Sequence, residues 1–218
     1  MTIAEALAET HARIARAAEG AGREPASVRL VAVSKTKPAA AIREAYAAGQ
    51  RDFGENYAQE LSEKAAELAD LPELRWHFIG HLQSNKAKLV ATVAAMVQTV
   101  DSASLATALA RRLPTGRVLE VLVEVNVGGE EQKHGAQPAD LPAIFAAIRT
   151  EPSLSLRGLM TVPPNDLDRA RHAFEALAKL RTEHGLTELS MGMSADLELA
   201  VTAGATIVRV GSAIFGSR

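Results

Sequence analysis

The chain has 218 residues, a formal net charge of -2 and 47% hydrophobic residues, ample for one well-buried domain spanning 1–218. Near-neutral charge gives no electrostatic footprint for nucleic acid, and the lack of any cysteine excludes disulfides, thiolate nucleophiles and zinc–thiolate sites. The first residues lack the basic-then-apolar pattern of a secretory signal and no apolar run is long enough to span a bilayer, so a cytoplasmic protein with no membrane partner is expected.

Residues 2–19 carry Ile3, Leu7 and Ile14 among alanines and charges, with Thr2 to cap and Gly20 and Gly22 to stop, which reads as an amphipathic helix. A buried strand follows at 28–34. It stops at Lys35, and Pro38 opens a helix at 38–48 that Gly49 ends. The pattern then predicts a strand at 51–54, a helix at 57–69, a strand at 76–79 and a helix at 85–93 capped by Ser84 or Asn85. Strand 96–100 leads to helix 103–112, capped by Asp101 or Ser102, and strand 118–126 is the longest apolar run. Helix 138–149, strand 154–160, helix 166–184, strand 188–191, helix 195–203 and strand 206–210 complete the series.

Eight strand–helix alternations with short loops predict an α/β fold, a TIM (β/α)8 barrel, with the extra N-terminal helix covering its floor. A doubly wound open sheet is the alternative. It normally carries a glycine fingerprint after the first strand, where this chain has Ser34, Lys35, Thr36 and Lys37.

In a barrel, function sits at the carboxyl ends of the strands. Lys35 shares the phase of Val31 and Val33, and a desolvated lysine beside the second ammonium of Lys37 loses basicity and becomes a nucleophile toward carbonyls. A solvated strand-end lysine is the bland alternative. His77 and His81 are four apart, but on a strand and its exit loop that spacing does not converge on a metal, so structural histidines are the better reading. Lys133 lies on a glycine-containing loop that either closes over a ligand or is simply a solvated charged loop. Met160 reads as packing. Ser194 offers a hydroxyl at a helix start, Gly211 lets backbone amides approach closely, and Ser212 adds a donor, as in barrels that hold a phosphate after their last two strands. Arg209 shares the phase of Ile207 and points into the barrel, toward a ligand or toward an internal partner such as Glu124. A lysine nucleophile, a phosphate cradle and an arginine between them fit a phosphorylated aldehyde. Pyridoxal 5'-phosphate (PLP) is the obvious one, and a sugar-phosphate aldolase also fits.

The segments LVAVSKTK at 30–37, FGENYAQE at 53–60, WHFIGHLQSNK at 76–86, GLM at 158–160, SMGMSAD at 190–196 and VRVGSAIFG at 208–216 resemble the pyridoxal phosphate homeostasis proteins, in that family's order. The resemblance implies a single-domain barrel like the fold type III PLP barrel of bacterial alanine racemase. It implies PLP held as a Schiff base on Lys35, the phosphate held by Ser194, Gly211 and Ser212, Arg209 facing the pyridine nitrogen and Asn56 beside the cofactor. Lys37 and Lys133 match lysines that help hold or transfer it. Position 212 is often threonine in relatives, and serine keeps the hydroxyl.

The function so implied is a carrier and buffer of PLP that supports vitamin B6 and amino-acid balance, with no established catalytic residue, no metal, and PLP-dependent apo-enzymes as recipients. An arginine at the ring nitrogen weakens the ring as an electron sink, and racemases of this kind take a second base from another domain, which suggests a non-enzyme and a monomer. A racemase-like enzyme using one base plus Lys35 and a cofactor-free Schiff-base aldolase are the alternatives. Tyr57 at the mouth is a phenol available as that base, though packing or cofactor shielding is the better reading of it.

Overall fold

The computed structural model describes residues 1–128 and 134–216. Eight strands, β1 (Arg29–Val33), β2 (Asp52–Glu55), β3 (Arg75–Phe78), β4 (Met96–Val100), β5 (Leu119–Glu124), β6 (Leu154–Met160), β7 (Glu188–Ser190) and β8 (Ile207–Val210), form a closed parallel barrel in sequence order. Their apolar runs follow from burial on both faces, one toward the axis and one toward the helices. Closure comes where β8 pairs with β1, Val31 lying opposite Arg209, so the exits of the first and last strands are side by side.

The outer ring holds α1 (Ile3–Gly20), α2 (Ala39–Ala47), α3 (Ala58–Glu67), α4 (Ala87–Ala91), α5 (Ala103–Ala110), α6 (Leu141–Arg149), α7 (Leu167–Glu183) and α8 (Leu197–Thr202), with a four-residue α9 (Ser212–Phe215) after β8. Two caps are where the residue types put them. Thr2 accepts from the Glu5 amide while Glu5 accepts from the Thr2 amide, a capping box, and Ser102 accepts from the Leu105 amide. Ser84 and Asn85 do not cap: they lie inside a 3-10 turn, Ser84–Lys86, that leads into a shorter α4 than the spacing suggests.

The N-terminal helix is not a cover on the floor. It packs against α2, α8 and α9, in the place the helix after β8 would fill, because α9 is too short to close the ring. Ala6, Leu7, Ile14 and Ala18 form its buried stripe.

The core has two parts. The larger lies between sheet and helices. The smaller, Val31, Met96, Leu122, Met160 and Ile207, lies inside the barrel, and Met160 is packing as expected. Barrel interiors are usually filled by branched apolar side chains. Here His77, Gln98, Ser190 and Arg209 are also buried, so one stretch of the interior is polar.

Candidate functional site

The carboxyl ends of the strands surround a cleft of about 440 Å³. Lys35, Asn56, Ser194, Arg209, Gly211 and Ser212 all line it, with Val33, Ile79 and Met193 among the apolar walls. Every cofactor-binding residue expected from the sequence therefore reaches one cavity. Lys37 lies just outside. It lines a smaller adjoining cleft with Lys35, Gly211 and Ser212, and its Nζ donates to the Gly216 carbonyl at 3.2 Å. Lys133 lies outside the described residues.

Lys35 is half-buried, two residues past the end of β1. Its neighbours in the chain are held unusually firmly. Ser34 Oγ donates to Glu55 Oε1 at 2.7 Å, and Lys64 Nζ donates to the Ser34 carbonyl at 2.8 Å. The same ammonium donates to Glu55 Oε1 at 2.8 Å and Glu60 Oε1 at 2.6 Å. Glu60 in turn accepts from the Thr36 amide at 2.6 Å, and Thr36 has a φ of 63°, a conformation that costs a β-branched residue energy unless its surroundings impose it. A buried Glu55–Lys64–Glu60 cluster thus grips the backbone on both sides of Lys35. Burial pushes the Glu55 carboxyl up, and the hydrogen bonds from Lys64 and Ser34 offset that only in part. Sequence reading missed this cluster. Its one local signal is Glu60 and Lys64 at i and i+4 on a helix.

The opposite wall is the phosphate-type corner. Ser194 and Ser212 face each other, hydroxyl to hydroxyl, at 3.3 Å. Gly192 makes the turn out of β7 at φ 92°, where a Cβ would meet the Ala200 Cβ at 2.4 Å, so only glycine fits. At Gly211 a Cβ would sit 3.2 Å from the Val33 carbonyl oxygen, a close approach between the exits of β8 and β1. Arg13 of α1 reaches this corner, donating to the Ser194 carbonyl at 3.0 Å while its guanidinium forks onto Glu198 at 2.7 and 2.9 Å.

Arg209 points inward as its phase requires. Its hydrogen bonds go to Ser190 Oγ at 2.7 Å and the Thr161 carbonyl at 2.9 Å. Glu124 acts on it as a neighbouring charge. Burial brings the guanidinium down to about 10, with Glu124 and Asp196 acting the other way, so it stays cationic at neutral pH. Asn56 Oδ1 is buried at the cleft with no hydrogen-bond partner. A buried acceptor left alone is costly, which marks a position built for a ligand donor or water. Gly80 lets the β3 exit loop press against Asn56: a Cβ there would come within 2.0 Å of the Asn56 carbonyl oxygen.

His77 and His81 do not share a site. His77 lies inside the barrel, bonded to Asp52 at 2.7 Å and to Gln98 at 3.1 Å, whereas His81 stacks on His134 at 4.0 Å. Of the two tyrosines, Tyr57 is at the mouth beside Asn56, and Tyr46 lies under Arg51 with its hydroxyl toward Glu73.

A closed eight-stranded barrel with a half-buried lysine at its mouth defines a class, and the family described as the alanine racemase N-terminal domain matches residues 5–218. Alanine racemase from Corynebacterium glutamicum shares the fold, at TM-score 0.66 and 18% identity over 95% of this chain and 60% of that one. Within that class the chain belongs to the pyridoxal phosphate homeostasis protein family. It is 54% identical to the pyridoxal phosphate homeostasis protein of Pseudomonas aeruginosa, over 100% of this chain and 96% of that protein. It is 45% identical to the one from Escherichia coli K12, over 99% and 97%. The structure of PipY from Synechococcus elongatus with PLP bound matches at TM-score 0.84 and 42% identity, covering 99% of this chain and 100% of that one. Among the described residues no helix is long and apolar enough to cross a membrane.

Proposed function

We propose that this protein binds PLP in the cleft at the barrel mouth and acts as a carrier and buffer of the cofactor, in a covalent carbon–nitrogen link to Lys35. One observation carries the reading: a single cavity of about 440 Å³ brings Lys35, Arg209, Ser194 and Ser212 together around the unpartnered Asn56 Oδ1. These residues fit the group. PLP, when bound, supplies an electrophilic aldehyde on a conjugated ring with a dianionic phosphate. Lys35 is the amine for the aldehyde. Ser194, Gly211 and Ser212 supply hydroxyls and close-lying backbone for the phosphate. Arg209 presents a cation to the ring nitrogen and disfavours its protonation, which suits holding the cofactor better than using it as an electron sink. The PLP-bound PipY structure supports the same reading.

Lys37, beside Lys35 in the adjoining cleft, is the group placed to receive or pass on the cofactor. Lys133 is proposed for the same role from the resemblance alone. Recipients would be PLP-dependent apo-enzymes, and the carrier itself a cytoplasmic monomer.

The test is an absorption spectrum of the purified protein after adding PLP, then borohydride reduction and peptide mapping. The expected result is a near-visible band that reduction fixes onto Lys35, and a Lys35→Ala variant that yields no adduct at that position. A protein that stays colourless with added PLP overturns the proposal and returns the aldolase reading. An unchanged adduct pattern in Lys35→Ala overturns Lys35 as the anchor.

A further inference from the structure

The polar stretch inside the barrel is one continuous chain of hydrogen bonds. Arg209 Nη1 donates to Ser190 Oγ at 2.7 Å, and Ser190 Oγ donates to Gln98 Oε1 at 2.6 Å. Gln98 Nε2 lies 3.1 Å from His77 Nδ1, and His77 Nε2 lies 2.7 Å from Asp52 Oδ1. Five strands, β8, β7, β4, β3 and β2, each contribute one residue. Chemistry fixes the direction. With its oxygen taken by Ser190, Gln98 offers His77 its NH2 group, so Nδ1 must accept and Nε2 carries the proton toward the Asp52 carboxylate. Every donor points from the mouth to the floor.

Charge follows the same line. A cation stands at the mouth and a carboxylate at the floor, with three neutral groups between. Burial holds His77 below the usual imidazole range despite the Asp52 carboxylate. Asp52 sits at the start of β2, with Arg75 Nε 3.5 Å away. Burial pushes its carboxyl up, but the hydrogen bond from His77 and the nearby Arg75 and Arg29 cations outweigh that and keep it below the usual range. Ser190, Gln98 and His77 are fully buried, so bulk water does not reach the links between them. Chains of this kind polarise one another along their length.

We propose that Gln98 and His77, anchored by Asp52, are positioning residues for Arg209: the one-way chain through the barrel holds the guanidinium in one orientation at the mouth, with no carboxylate bonded to it among the described residues. The inference rests on the PLP reading above. A direct ion pair would point the guanidinium at its carboxylate. The chain instead ties one edge to Ser190 and the Thr161 carbonyl and leaves the cation presented to the cleft. The ring nitrogen then meets a cation whose orientation is set by residues that never touch the cofactor.

Two measurements test this. In the wild-type protein, long-range proton–nitrogen NMR of the imidazole rings is expected to show His77 as the neutral Nε2–H tautomer, with its nitrogen shifts moving when PLP is added. In Gln98→Met, which keeps the shape and removes both links, the near-visible maximum of bound PLP is expected to move and PLP affinity to fall about tenfold. A purely structural role for Gln98 would lower the melting temperature and leave that maximum in place. His77 in the Nδ1–H form, or Gln98→Met with the wild-type maximum and affinity, overturns the inference while the wild-type band leaves the PLP reading standing. If Gln98→Met does not fold, the wild-type tautomer and its response to PLP decide. If the wild-type protein shows no band at all, the PLP reading fails and takes the inference with it.

Discussion

Glu124 shows what the barrel mouth does to a single side chain. It ends β5, almost fully buried, and burial raises its carboxyl to about 7, with Arg209 pulling it down and Asp101 pushing it up. An unfolded glutamate titrates near 4.5, so the folded protein prefers the proton-bound form. That preference contributes stability in full below the unfolded value and loses it as pH rises through about 7. Glu124→Gln keeps the shape without the titration. The stability of the wild type relative to this variant is expected to fall by about 3 kcal/mol across that window, measured by denaturant unfolding at several pH values. A difference that stays flat with pH would mean that the carboxyl is solvated. Lys35 and Arg209 were legible in the sequence at this scale because each is a charge in phase with an apolar strand. Glu124 was legible only as a suspected partner of Arg209, and the structure makes it a neighbouring charge.

At the scale of elements, one joint near the site is a buried ion cluster between the β1 exit and α3. Lys64 crosses it, with only 9% of its side chain exposed, to hold Glu55, Glu60 and the Ser34 carbonyl. Removing one partner of a buried pair leaves a charge that nothing compensates. Lys64→Met is expected to cost about 3–5 kcal/mol in urea unfolding, and Glu55→Gln in the same chain to restore a large part of it. Full loss in the double variant would mean that the stem of Lys64, rather than its charge, matters. The order and kind of every strand were legible, because apolar runs alternate with helical periods eight times. The clamp was not, since its members come from three separate segments and only register brings them together. The four residues of α9 are likewise too few to show a helical period. For the Asp52-to-Arg209 chain, local pattern shows His77 on one strand and an inward Arg209 on another, and nothing of the Asp52, Gln98 and Ser190 that complete it.

The whole molecule depends on α1 in a way that periodicity alone does not reveal. An amphipathic helix before the first strand is easy to see, but where it docks depends on the gap left by a short α9. Arg13 carries that docking into the site, through the fork onto Glu198 and the bond to the Ser194 carbonyl. The pair is partly exposed, so Arg13→Ala is expected to lower global stability by only about 1 kcal/mol. The Ser194 turn loses its tether as well, so PLP affinity is expected to fall several-fold, by fluorescence titration. Unchanged affinity would mean that the turn holds its shape without α1.

The pairing of β1 with β8 has a consequence for synthesis. The cleft straddles that seam, taking Lys35 from the exit of β1 and Arg209, Gly211 and Ser212 from β8 and its exit, about 170 residues later in the chain. As the ribosome releases the polypeptide, β1 finds β2 early but must wait through six intervening strands for β8. Such late, long-range pairing is slow, and nothing near the chain's beginning can complete the site on its own. The cavity therefore cannot be complete before β8 is made, and a nascent chain interrupted before β8 carries the lysine without its pocket.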